Sequence, residues 1–132
     1  MELEVCFRTW RSQEQQGHVF IGFKEPDGTW RDRGFEYLGS RSEGKIRRAV
    51  EELTQRGGDI YWCPNIFTTP RRIRDGVTGG RFLYADLDAV DPDEIDPSLK
   101  PTVAWKSSHS RFQALWRLEE SLPADRLEEL NR

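Results

Sequence analysis

Leu3, Val5 and Phe7 alternate with Glu2, Glu4, Cys6 and Arg8, a period of two that predicts a half-buried strand over residues 2–9. Residues 18–23 and 29–38 flank Glu25-Pro26-Asp27-Gly28, and a Pro/Asp/Gly turn between two such runs predicts a β-hairpin. Ser40-Arg41-Ser42-Glu43 has the spacing of a capping box, after which Ile46, Ala49, Val50 and Leu53 recur at helical spacing until Gly57-Gly58. One amphipathic helix is expected over residues 42–56. Residues 59–63 read as a short strand ended by Pro64, and residues 65–80 as a glycine-containing loop. A strand over 81–88 places Leu83, Ala85 and Leu87 on one face and Phe82, Tyr84, Asp86 and Asp88 on the other. Beyond a connection with Pro92 and Pro97, residues 101–106 and 112–118 predict a second hairpin. Ser121-Leu122-Pro123 opens a last helix with Leu127 and Leu130 as its apolar positions. The order βββαβ, loop, βββα is that of an α+β fold, without repeats or low-complexity segments.

At 132 residues the chain fits a single domain. It reads as an N-terminal α/β portion, 1–58, followed by a portion over 59–132. A mean hydropathy of -0.78 is polar, yet five Trp, seven Phe and three Tyr suffice to fill a core. Trp10, Trp30, Trp62, Trp105 and Trp116 follow no stacking pattern and read mostly as core. No apolar run reaches the roughly 18–20 residues that cross a bilayer, and the N-terminus lacks the basic-then-apolar pattern of a secretory signal. Two cysteines and two histidines exclude a Cys-rich zinc site. A cytoplasmic chain with reduced thiols and no membrane partner is expected.

A net charge of -3 is unlike that of a dedicated DNA-binding domain, but the charges are segregated. Residues 70–81 carry Arg71, Arg72, Arg74 and Arg81 against Asp75, whereas residues 82–99 carry Asp86, Asp88, Asp91, Asp93, Glu94 and Asp96 with no Lys or Arg. A basic loop running into an acidic strand end suits a divalent cation beside phosphates; two solvated loops are the commoner cause of such a pattern.

Asp86 and Asp88 are separated by one residue at the end of a strand, so their oxygens can converge on Mg²⁺ or Mn²⁺. Such ions bind through one or two carboxylates plus substrate phosphates. Asp-x-Asp alone is a weak signal, found also in sugar-nucleotide enzymes, calcium loops and surface turns. The hairpin end offers Ser107, Ser108, His109, Ser110 and Arg111 as donors to phosphate oxygens, and alternation along the return strand predicts a polar outward row of Arg111, Gln113, Leu115 and Arg117. An ordinary polar turn is the simpler reading of that segment by itself. Asn65 and Phe67, and the arginines Arg71, Arg72 and Arg74, are further candidates for sugar, base, template or phosphate contacts; turn, core and solvated-loop roles compete with these.

Taken together, FLYADLD, an acidic proline-containing connection and PTVAWKSSHSRFQALWRLEESLP resemble the core of the archaeo-eukaryotic primase superfamily, in particular the primase-polymerases of plasmid and phage replication proteins. YWCPNIF with the arginine loop is similar to what precedes the Asp-x-Asp strand there, and the resemblance spans residues 59–123. It implies an RRM-like primase-polymerase core with an antiparallel or mixed sheet and flanking helices. It also implies template-directed transfer of NTPs or dNTPs on single-stranded DNA. Asp86 and Asp88 then hold Mg²⁺ or Mn²⁺, and Ser108, His109, Ser110, Arg111 and Gln113 bind the nucleotide. Asn65, Arg71, Arg72 and Arg74 contact nucleic acid or phosphate. A bacterial plasmid- or phage-encoded setting follows, with a replicative helicase or further domains of a longer replication protein as partners. Two departures stand out. Gln113 occupies the place of a family histidine, and the family's third acidic residue falls beyond Arg132, which implies a core truncated at its C-terminus. A non-catalytic RRM-like nucleic-acid or nucleotide-binding module, and another metal-dependent nuclease or phosphotransferase, are the rival readings.

Overall fold

Residues 2–9 do not form the strand that their alternation predicts. Leu3–Arg11 is a helix, α1, because Leu3, Cys6, Phe7 and Trp10 also fall at spacings of three and four, and the core selects that set. Cys6, Phe7 and Trp10 are fully buried, and Val5 is only partly so. The computed structural model describes residues 3–13, 15–70, 72, 79–87, 90–108 and 111–130. Among these it is a mixed α+β protein with three helices and two antiparallel three-stranded sheets. The chain divides into two compact units, Met1–Thr78 and Gly79–Arg132.

In the first unit the expected hairpin is present as β1, Gly17–Lys24, and β2, Trp30–Tyr37. Its turn closes where Gly28, at φ 92°, donates its N–H to the Glu25 carbonyl at 2.9 Å, a conformation that glycine adopts without a Cβ penalty. The expected helix is α2, Ser40–Gln55, but it has no capping box. Gly39 is its N-cap and provides no side-chain acceptor, Ser42 Oγ accepts from the Leu38 N–H at 2.7 Å, and Glu43 is drawn away by Arg11 and Tyr37. β3, Asp59–Trp62, pairs with β1 and gives the order β2-β1-β3.

Val19, Ile21 and Phe23 of β1 and Phe35 and Tyr37 of β2 share one core with Cys6, Phe7 and Trp10 of α1 and Ile46, Ala49, Val50 and Leu53 of α2. Both helices therefore cover one face of the sheet, which follows from the alternation of the strands and the single apolar stripe of each helix. Gly58, between α2 and β3, is packed tightly: a Cβ there would stand 2.2 Å from the Lys24 carbonyl oxygen and 2.6 Å from Phe23 Cζ. Gly58→Ala is expected to destabilise the fold by about 1–3 kcal/mol, read as a lowered urea midpoint. An unchanged midpoint would show that this turn has room to relax.

In the second unit β4, Gly79–Leu87, β5, Val103–Ser108, and β6, Arg111–Pro123, form a sheet in the order β4-β6-β5. β6 runs past the expected end at residue 118, because Leu122 and Pro123 pair with Gly80 and Gly79 after an irregularity between Gly80 and Phe82. The last helix, α3, is Ala124–Leu130 and buries Leu127; it begins later than the sequence suggests, since residues 121–123 complete the strand. The acidic connection contains two 3₁₀ turns, Pro92–Glu94 and Pro97–Leu99. Asp91 and Asp96 cap them, accepting from the N–H groups of Asp93 and Ser98 at 2.9 Å each. The hydrogen bonds from Ser98 hold the Asp96 carboxyl below the usual carboxylate range. These two aspartates thus have a local role in the backbone.

Candidate functional site

The register of the second sheet decides which side chains meet. Asp86 of β4 stands opposite Gln113 of β6, which stands opposite Trp105 of β5. The neighbouring row is Tyr84, Leu115 and Val103. Directly opposed residues of an antiparallel pair project to the same face, so these six positions form one surface. Asp86 is exposed at the end of its strand, and Gln113 Nε2 donates to Asp86 Oδ1 at 2.9 Å. Two motifs 27 residues apart are therefore joined across a single strand pair.

The remaining sequence candidates divide clearly. Ser108 and Arg111 are opposed where the second hairpin closes, and Arg111 and Gln113 occupy alternate positions of β6. Asp88, His109, Ser110, Arg71 and Arg74 lie outside the described residues. The outward row expected along β6 is not uniformly polar: Leu115 is 1% exposed. It sits on the central strand between Tyr84 and Val103, and Ala114 on the other face is also fully buried. The centre of β6 is thus buried on both faces of its sheet.

Among the described residues no three His, Cys, Asp or Glu side chains come together as a metal-binding group. Asp86 nevertheless fits a hard cation that keeps most of its waters and draws further oxygens from a phosphate substrate. Its hydrogen bond from Gln113 is made by a neutral amide, which orients the carboxylate without cancelling its charge.

In the first unit Arg72 is fixed to the face of the sheet opposite the helices. Its guanidinium donates to Asp32 Oδ1 at 2.9 Å and to Cys63 Sγ at 3.1 Å, and lies 5.7 Å from the centre of the Trp30 ring. Burial pushes the Cys63 thiol up. Trp30 is 44% exposed and Tyr61 41% exposed, with ring centres 5.2 Å apart, so Trp30 departs from the core role expected of the tryptophans. The reason is Gly22: a Cβ there would come within 2.4 Å of Trp30 Cζ2, so the indole lies across the bare backbone of β1, with its Nε1 donating to Asp32 Oδ1 at 3.1 Å. Phe67 is core, packed edge-on against Phe20 at 4.9 Å. Asn65 Oδ1 is buried without a hydrogen-bond partner among the described residues.

Sequence reasoning placed Tyr84 on the face of Asp86 but assigned it no role, and it read Trp105 with the other tryptophans as mostly core, away from the site. The alternation of β4 carried the first signal; the second needed the register of β5 on β6, which no spacing specifies. Comparison of the chain with protein-family models, with curated proteins and with solved structures finds no match.

Proposed function

We propose that the second unit binds a nucleoside triphosphate together with Mg²⁺ or Mn²⁺ at Asp86 and Asp88, as part of a primase-polymerase core that transfers nucleotides on a single-stranded DNA template. The observation that supports this reading is the Asp86–Gln113 hydrogen bond, which joins the carboxylate motif to the proposed phosphate-binding segment across one strand pair. Asp86 and Asp88 would hold the ion, which neutralises phosphate charge during transfer. Gln113 gives one amide N–H to Asp86 and retains a second for a phosphate oxygen. Arg111 adds a guanidinium suited to paired phosphate contacts, and Ser108, His109 and Ser110 belong to the same hairpin end. Arg71, Arg72 and Arg74 are assigned to template contacts, and further domains of a longer replication protein, or a helicase, complete the assembly.

Isothermal calorimetry in Mn²⁺ tests the assignment. The 132-residue chain is expected to bind a nucleoside triphosphate, with affinity falling at least tenfold in Asp86→Asn and on addition of a chelator. Equal binding by the variant, or indifference to the chelator, would sink the assignment. A second reading, a non-catalytic module for single-stranded nucleic acid, is favoured by the half-exposed Trp30 and Tyr61 beside Arg72. Base stacking on aromatic side chains and cation contacts to phosphate are the means by which such modules bind. That module would bind an oligonucleotide in a salt-dependent, chelator-insensitive way.

A further inference from the structure

The solvent face of α2 departs three times from what helix stability favours. Arg41, Lys45 and Arg48 are exposed and follow one another at spacings of four and three, so they stand in a row along the helix. Arg41 lies in the first turn, where the helix dipole opposes a cation. Arg41 and Lys45 are like charges four residues apart, an unfavourable pairing on a helix. Gly44, beside them, is a glycine inside a helix, where alanine is the better residue. Nothing lies within 4 Å of the place that its Cβ would take, so no packing contact calls for it.

Most other charged side chains of α2 have partners. Glu43 is held by Arg11, Arg47 donates to Glu4 at 2.8 Å, and Glu52 stands 3.9 Å from Arg33. Among the described residues Arg41, Lys45 and Arg48 take part in no ion pair or side-chain hydrogen bond. Three uncompensated cations therefore stand beside a stretch of bare helix backbone. Departures from local preference of this kind are kept where function requires them.

The row fits a regularly spaced polyanion. From Arg41 to Arg48 the helix rises about 10 Å, and phosphates recur about every 3.4 Å along one strand of a duplex, so three cations span about three phosphates. An acidic protein would need an apolar or aromatic anchor at the centre of the patch, and only Gly44 lies there. A helix lying in a membrane surface would present its apolar stripe, whereas Ile46, Ala49, Val50 and Leu53 are committed to the core.

We infer that Arg41, Lys45 and Arg48 bind the sugar-phosphate backbone of a nucleic-acid strand, which approaches most closely at Gly44. The contacts are to phosphate and carry no sequence preference. This surface is on the helix-covered side of the first sheet, opposite Arg72, and is independent of the reading of Asp86.

Fluorescence anisotropy of a dye-labelled single-stranded oligothymidylate, titrated with the full chain at several salt concentrations, tests the surface. The parent chain is expected to bind with an affinity that falls as salt rises. The triple variant Arg41→Gln, Lys45→Gln, Arg48→Gln is expected to bind at least tenfold more weakly. Its slope of log affinity against log salt should be shallower by about 2, the change for three lost contacts to a single strand. It should melt no lower than the parent, because like-charge repulsion is relieved. A control with the same change in net charge, Lys24→Gln, Lys100→Gln, Arg126→Gln, removes exposed cations elsewhere and is expected to change affinity less than threefold. Gly44→Ala should raise the melting temperature and weaken binding at least twofold. No binding by the parent, unchanged binding by the row variant, or equal losses in the row variant and the control would overturn the assignment. So would a row variant that keeps its oligonucleotide affinity but loses binding to phosphatidylserine vesicles or to polyglutamate, which would make the partner a membrane or an acidic protein.

Discussion

Trp10→Ala is expected to cost the first unit about 3–5 kcal/mol, the range for truncating a fully buried large aromatic. Trp10 is completely inaccessible, and its ring stands 5.8 Å from those of both Tyr37 and Trp62, so three elements lose contacts at once. The indole Nε1 also donates to the Cys63 carbonyl at 2.9 Å, and its removal leaves that acceptor to find water or remain unpaired. Trp10→Phe keeps most of the volume and loses the hydrogen bond, so a smaller loss of about 1–2 kcal/mol is expected. Amide hydrogen exchange along β1 and α2 is the appropriate readout, because it reports the first unit by residue. Protection that is unchanged in Trp10→Ala would mean that α1 does not hold the core as described.

Glu43 supports the second large effect. Its carboxylate accepts from Arg11 Nε at 2.5 Å, from a second Arg11 nitrogen, and from the Tyr37 hydroxyl at 3.2 Å. The Arg11 hydrogen bond holds the Glu43 carboxyl below its ordinary value of 4.5, while burial, with Glu43 beside it, pushes the Tyr37 hydroxyl up to about 12 from 10.0. The two shifts have opposite consequences. A lowered carboxyl contributes stability that is present above pH 4.5 and lost as pH falls through the folded value. A raised phenol contributes stability that is present below pH 10.0 and lost as pH rises through about 12. Glu43→Gln is expected to cost about 1.5–3 kcal/mol at neutral pH; Arg11 is half-exposed and can recover water, which keeps the loss below that of a fully buried ion pair. The variant should also flatten the acid limb of the stability profile, and Tyr37→Phe the alkaline limb. Profiles unchanged in both variants would show that neither group is linked to folding.

The hairpin of β1 and β2 and the helix α2 were legible because their signals are local: a Pro-Asp-Gly turn and an apolar stripe that ends in glycine. α1 was not, since Leu3 and Phe7 satisfy periods of two and of 3.6 alike, and only Cys6 and Trp10, which fall out of phase with the alternation, distinguish them. The capping-box spacing at Ser40 was present, but a guanidinium from another helix competed for Glu43, and such tertiary competition leaves no trace in spacing. At the candidate site the alternation of β4 put Tyr84 and Asp86 on one face, whereas the meeting of Asp86 with Gln113 and Trp105 required strand register. The burial of Leu115 depends on packing over the face of the sheet, which alternation along the strand does not report.

The central position of β6 in its sheet governs the order in which the protein can be made. β6 is the last strand in the sequence and the only described partner of both β4 and β5, so neither can join the sheet until β6 has left the ribosome. The first unit is closed once Phe67 has bridged to His18. At roughly 5–20 residues per second, β4 waits several seconds with its backbone unpaired and its Phe82, Leu83 and Tyr84 uncovered. The strand bearing Asp86 is thus the one most exposed to mispairing during synthesis, and the aspartate-rich sequence that follows it tends to keep it soluble through that interval.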